Sequence, residues 1–399
     1  MALTLVLRFA DVGIATYASL RVVGEPARTV TWVVEESDLV AALDQLSAAL
    51  PDPRAPETRR DAVERAIAAG PLAMPATEAA LARTLGAQLL APAAWQLLTD
   101  CVTSPRAGLF VSPSARLARV PWGLLAMPND DGARLMELAD VLMAAPSNIV
   151  HAARTPAGRD DRCEAVPLLI LDPRVPGQRP DSALGSVLGR PSAENPLAQH
   201  FTELMRRRAV LPKVSSAVEL FRRTDADRPW LVAQLDRHPS RLLFVGHATA
   251  ADGDVGHADR AALHLSDERP LTAADLMSAK LPMPPRIAMI ACASGGDYQF
   301  DEATGLVAAM ILGGAQLVTA TLWSLPTAAG YRQFAPAAGD HDPMAEAIIA
   351  VDRAHEDPQA GRAVNCWQRD QMRRWRDGDT RASPLYWAAL ATFAVDGAR

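Results

Sequence analysis

The chain of 399 residues is poor in lysine: Lys213 and Lys280 are its only two, and the rest of its 40 basic residues are arginines. Arginine and alanine in place of lysine follow the codon bias of a GC-rich bacterial genome and carry no function. Cysteine is scarce as well, limited to Cys101, Cys163, Cys292 and Cys366. So few in so long a chain form no disulfide framework, which points to a reducing cytoplasm. The first eight residues lack the basic start and apolar core of a secretory signal. A formal net charge of −6 excludes the broad basic field that non-specific nucleic-acid binding requires. One long stretch, residues 305–323, has no charge, but Gly313-Gly314 interrupts it and Thr319 and Thr321 follow. It is expected to be a buried helix, a glycine turn and a buried strand, not a membrane span.

What is present is ordinary for a globular protein with a large core: 49% hydrophobic and 22% charged residues. The first fifty residues read as strands, with alternation from Leu3 to Phe9 and further β-rich runs at 17–23 and 30–34. The proline-rich stretch 51–56 is a linker candidate. Helix and strand then alternate. Leu81, Leu85 and Leu89 mark one helix, and Leu197, Phe201 and Leu204 mark another whose Arg206-Arg207-Arg208 end is solvated. Strands are expected at 109–111, at 167–171 ending on Asp172-Pro173, at 316–322 and at 392–395. This order predicts a mostly parallel sheet covered on both faces. The division drawn from it is a β-rich region with linker over residues 1–75 and an α/β domain over 76–399, whose part at about 160–399 holds the two runs described next.

Two short runs carry the chemistry. Leu242-Leu243-Phe244-Val245-Gly246 ends at His247, and Ile287-Ala288-Met289-Ile290-Ala291 ends at Cys292, 45 residues later. Unbroken apolar runs of this length are typical of parallel strands buried on both faces. Chemistry in open α/β sheets gathers at the carboxyl ends of such strands. A cysteine alone is most often an inert core residue, and a histidine alone a structural donor. Here the cysteine is surrounded by Ala291, Ala293, Ser294, Gly295 and Gly296. Small neighbours leave room for a carbonyl substrate and for the backbone N–H groups that hold an oxyanion. Histidine can polarise a thiol or protonate a departing amine near neutral pH. The pair is therefore the candidate catalytic dyad.

Other arrangements of the same residues are weaker. Ser294 imitates a serine-hydrolase elbow, with His341 or His355 as partner, but Cys292 stands where the first glycine of that elbow belongs. A metal site from His247, His257 and His264 fits no usual ligand spacing. Cys101 lies in a helical pattern behind Trp95 and Leu98 and belongs to the core. Cys163 sits in a charged loop, and Cys366 precedes Trp367 without an evident partner. The run Arg373-Arg374-Trp375-Arg376, flanked by Asp370 and Asp377, is a solvated helix face.

With these residues in view, the chain from about residue 80 to its end resembles the CHAT family, the caspase-like and separase-like cysteine peptidases of bacteria. The resemblance rests on Gly246-His247-Ala248 and Ala291-Cys292-Ala293-Ser294-Gly295. It also rests on 263–276 between them, on 305–323 after them, on Val120-Pro121-Trp122-Gly123-Leu124-Leu125 with Pro146-Ser147 upstream, and on the closing Pro384-Leu385-Tyr386-Trp387-Ala388. No TPR array precedes the domain. Two departures are visible: Ala248 stands where many relatives have glycine, and Ser324-Leu325-Pro326-Thr327 follows Trp323 where relatives often carry an acidic pair.

The resemblance implies a caspase-like three-layer α/β/α fold and a cysteine endopeptidase that works through a thioester acyl-enzyme without metal or cofactor. Cys292 would be the nucleophile and His247 its partner, with the backbone N–H groups of Ala248 and Cys292 forming the oxyanion hole. It further implies a protein substrate, encoded in some relatives by a neighbouring gene, and a role in bacterial signalling or antiphage defence. No membrane or nucleic-acid partner is implied. A catalytically silent adaptor that keeps the fold and binds a partner protein is the other class of reading.

Overall fold

A computed structural model describes the chain except residues 1–2, 130–131, 159–164, 180–181, 183, 250–257, 292–304, 336–338 and 396–399. Its first three strands, β1 (Thr4–Asp11), β2 (Ala15–Val22) and β3 (Thr29–Glu35), form an antiparallel meander. The strands β4 (Ala107–Ser112), β5 (Ala139–Ala144), β6 (Leu168–Leu171) and β7 (Leu242–Gly246) follow. Three two-residue strands, β8 (Ala248–Thr249), β9 (Ala262–Leu263) and β10 (Leu271–Thr272), make a separate small sheet. The chain then adds β11 (Arg286–Ala291), β12 (Leu317–Thr321) and β13 (Leu390–Ala394). The large sheet has ten strands in the order β3-β2-β1-β4-β5-β13-β12-β11-β7-β6. Neighbours are parallel except at β3–β2, β2–β1 and β13–β12.

The burial of each strand follows from its side-chain pattern. In β6, β7, β11, β12 and β13 every residue is buried, as expected for strands covered on both faces. Strand β1 instead alternates: Leu5, Leu7 and Phe9 are buried while Arg8 is exposed. The register sets Leu5 opposite Val22, Leu7 opposite Leu20 and Phe9 opposite Ala18, so one face of the meander is apolar and joins the main core. The meander is not a separate sheet. Strand β1 pairs in parallel with β4, with Leu5 beside Leu109 and Leu7 beside Val111, and extends the large sheet.

Helices fill the connections. Before β4 come α1 (Glu36–Ala49), α2 (Arg59–Glu64), α3 (Pro75–Leu89) and α4 (Pro92–Asp100). The middle of the chain adds α5 (Leu135–Leu138), α6 (Ser147–Val150), α7 (Pro196–Arg207), α8 (Arg228–Leu235) and α9 (Ala273–Ala279). After β11 come α10 (Leu306–Leu312), α11 (Ala328–Phe334), α12 (Pro343–Ala354), α13 (Ala360–Arg376) and α14 (Pro384–Trp387). The expectation that the first fifty residues are all strand is corrected by α1. Its buried Leu39, Ala42, Leu46 and Ala49 recur at helical spacing and pack into the core.

The uncharged stretch is the buried helix α10, the turn Gly313-Gly314 and the buried strand β12. Gly314 has φ +121°, and a β-carbon on it would come within 2.9 Å of the Thr155 carbonyl oxygen, so only glycine fits this turn. Among the described residues no helix is long and apolar enough to cross a membrane. The arginines of α13 are largely paired: Arg373 with Asp370, Arg374 with Glu346 and Asp379, and Arg376 with Glu137, while Trp375 is buried.

Candidate active site

Strands β7 and β11 lie side by side and parallel, in a register that places Gly246 opposite Ala291. His247 follows Gly246 at the carboxyl end of β7 and is buried. Gly246 sits against the chain's own aromatic side chain: a β-carbon there would stand 3.0 Å from the Phe244 ring and 3.3 Å from Pro173 Cδ. The absence of a side chain at 246 therefore lets the Phe244 ring and Pro173 pack closely against the backbone just before His247. Cys292, Ser294 and His257 lie outside the described residues. The last described residue before the cysteine is Ala291, whose carbonyl accepts a hydrogen bond from the buried Thr321 hydroxyl on β12.

Beyond His247 the chain leaves the large sheet for the small one. The His264 amide donates to the His247 carbonyl at 3.0 Å, and Ala248 stands opposite Leu263. Directly opposed residues in an antiparallel pair alternate between bonded and open. Since the 247–264 pair is bonded, the 248–263 pair is of the open kind, and the Ala248 N–H is not used in this ladder.

The imidazole of His247 is held from the other side. Its Nε2 lies 3.1 Å from the Gly185 carbonyl oxygen. A carbonyl only accepts, so Nε2 carries the proton and Nδ1 is the nitrogen left for a thiol. The Gly185 carbonyl also accepts from the Arg222 guanidinium at 2.9 Å, and that guanidinium pairs with the buried Asp172 carboxylate. His264 is buried, and among the described residues its Nε2 has no hydrogen-bond partner. Burial, followed by the neighbouring His247, lowers its pKa below the ordinary histidine value.

His355 and His341 are not brought to these strand ends. His355 is buried against Thr319, with Nε2 at 2.8 Å from its hydroxyl, and its carbonyl accepts from Arg286 at the amino end of β11. His341 pairs with Glu346 at the start of α12. Among the described residues no group of three or more His, Cys, Asp or Glu side chains is placed to hold a metal ion. Cys101 is buried in the core and Cys366 is exposed; both are free thiols. The sequence names His247 and Ala248 as site candidates, gives Asp172 only as a strand terminus and Thr321 only as part of the uncharged stretch, and does not single out Gly185 or Arg222.

A buried histidine closes one strand of a mostly parallel sheet, beside a strand that leads in sequence into Cys292, and the class is an α/β fold with helices around a large central sheet. The CHAT domain model matches residues 79–397, and the chain belongs to the CHAT-domain family. No curated protein sequence matches the chain significantly. Among solved structures it is similar to two crystal structures of the Saccharomyces cerevisiae separase–securin complex. Their TM-scores are 0.47 and 0.46 and their identities 10% and 9%. Each match covers 98% of this chain, which spans 30% of the matched chain.

Proposed function

We propose that the protein is a cysteine endopeptidase in which Cys292 is the nucleophile and His247 its proton-transfer partner. The observation that carries this reading is the register of β7 and β11, with Gly246 opposite Ala291. His247 and Cys292 are each the next residue along the chain, one peptide bond beyond that pair. The Cys292 thiolate attacks the scissile carbonyl, and the N–H groups of Ala248 and Cys292 hold the oxyanion of the tetrahedral intermediate. As that intermediate collapses, the amine departs with a proton from His247 and a thioester remains. Water, losing a proton to His247, then releases the acid and regenerates the thiol. The open pairing of Ala248 supports its role in the oxyanion hole. No step requires a metal or organic cofactor.

The substrate in this reading is a partner protein, of the kind a neighbouring gene encodes in related systems. The setting is a bacterial cytoplasm, in signalling or antiphage defence. A chloromethyl ketone or peptide aldehyde tests the site, because Cys366 provides an exposed free thiol in the same molecule as a reference. Labelling of Cys292 well ahead of Cys366, abolished in His247→Ala, is the expected result. Equal labelling of the two cysteines would contradict it.

A further inference from the structure

We infer that Asp172 and Arg222 are positioning residues: together they hold the Gly185 carbonyl where it fixes the tautomer and orientation of His247. The inference rests on the proposed role of His247, but its structural basis is independent of Cys292. Strand β6 ends at Leu171, and its parallel bridge to Phe221 brings residues 172 and 222 side by side. The Arg222 amide donates to the Leu171 carbonyl at 3.1 Å, and the Asp172 amide to the Val245 carbonyl of β7 at 2.6 Å. Asp172 is thus anchored to the strand that delivers His247.

Both residues adopt left-handed backbone conformations, with φ 50° at Asp172 and 52° at Arg222. That geometry is unfavourable for an L-residue and free of cost for glycine. Two neighbouring non-glycine residues in it mean that the side chains, and not the turn alone, are required at these positions.

The Asp172 carboxylate is fully buried and gathers one loop around itself. It accepts from the Ser186 hydroxyl at 2.7 Å, from the Val187 and Leu188 amides at 3.3 and 3.4 Å, and from Arg222 at 3.3 Å. Arg222 extends the same set to the Gly185 carbonyl, 2.9 Å away, and His247 Nε2 donates to that carbonyl from the other side. A carbonyl oxygen has two lone pairs, and both are used. The chain of contacts therefore runs from a buried carboxylate, through a guanidinium and a peptide carbonyl, to the imidazole. If the carboxylate is lost, the guanidinium is unpaired, the loop is freed, and neither ring nitrogen is preferred for the proton.

The test uses the full chain. In a Cys292→Ala background, two-bond 1H–15N correlation spectra of 15N-histidine protein report the His247 tautomer directly. The expected signal is Nε2–H in the parent. A mixture with substantial Nδ1–H is expected in Asp172→Asn, which keeps the preferred backbone but removes the charge, and in Asp172→Gly, which relieves the backbone and removes the side chain. With Cys292 restored, both variants should lose roughly ten- to a hundredfold in kcat with little change in KM. Asp172→Glu, which retains the charge, should recover part of the loss. A His247 tautomer unchanged in both variants overturns the inference, even if they melt earlier, because a purely structural pin would lower stability and nothing else. Failure of the peptidase reading shows separately, as an unreactive Cys292 in the otherwise unmodified chain, and leaves the tautomer result standing.

Discussion

Gly246 on β7 faces Ala291 on β11 across a parallel pair, so two strand ends that differ by 45 positions in sequence finish level with each other. The proposed chemistry depends on this alignment, and each side of it can be perturbed separately.

Gly246→Ala tests the β7 side. The added methyl meets the Phe244 ring at 3.0 Å and Pro173 Cδ at 3.3 Å, and Phe244 is itself buried. Overpacking of this kind costs about 1–3 kcal/mol. The expected outcome is a lower urea midpoint with an unchanged slope, together with reduced activity because His247 is the next residue.

Thr321→Val tests the β11 side. It removes the hydroxyl that donates to the Ala291 carbonyl while keeping the side chain's shape. Leaving a buried acceptor without this donor costs about 1–3 kcal/mol. Reactivity of Cys292, one residue on, should fall by more than the change in stability alone explains. Alkylation rates measured well below the melting temperature separate the two effects.

Acid sensitivity follows from His355. Complete burial, with the Arg286 and Arg241 charges adding to it, pushes its pKa from 6.5 down to about 3. The folded state therefore keeps this ring neutral while the unfolded chain protonates it. Its stabilising contribution is fully present above about pH 6.5 and is lost as the pH falls towards 3. Each pH unit in that window removes about 1.4 kcal/mol for one such proton. Relative to His355→Gln, the native protein should lose about 2 kcal/mol between pH 6.5 and 5, measured by urea unfolding at each pH.

The buried pair of Glu78 on α3 and Arg134, 2.7 Å apart, ties the helical layer to the segment before α5. Burial raises the Glu78 pKa and lowers that of Arg134, against the pull each exerts on the other. Desolvation is thus the larger effect for both, and the pair stabilises little over an apolar replacement. Glu78→Leu or Arg134→Met alone should destabilise by about 3–5 kcal/mol, since each strands a buried charge. The double variant should recover most of the loss in a thermal melt.

The sequence made the strands at the site legible because each is buried on both faces, leaving the unbroken apolar runs before His247 and Cys292. Helix α10, the Gly313-Gly314 turn and β12 were legible for the same reason. Helix α1 was not, because its Leu39, Ala42 and Leu46 follow a β-rich segment and Val40 among them is exposed. Nor did alternation in β1 reveal that the meander joins the large sheet, since pairing partners so distant in sequence leave no local pattern. The same limit hid the support behind His247. Asp172, Gly185 and Arg222 are spread over fifty residues and meet through the Leu171–Phe221 bridge and the side-chain bonds of Asp172 and Arg222.

The central claim is that Cys292 is an activated nucleophile working with His247. The most direct measurement is the rate of Cys292 alkylation against pH in the full chain and in His247→Ala, with exposed Cys366 as the internal reference. The account predicts that Cys292 reacts far faster than Cys366 below pH 8 and that His247→Ala removes this advantage. A Cys292 rate that rises with an ordinary thiol pKa near 8.5, alongside Cys366 and indifferent to His247, would contradict it.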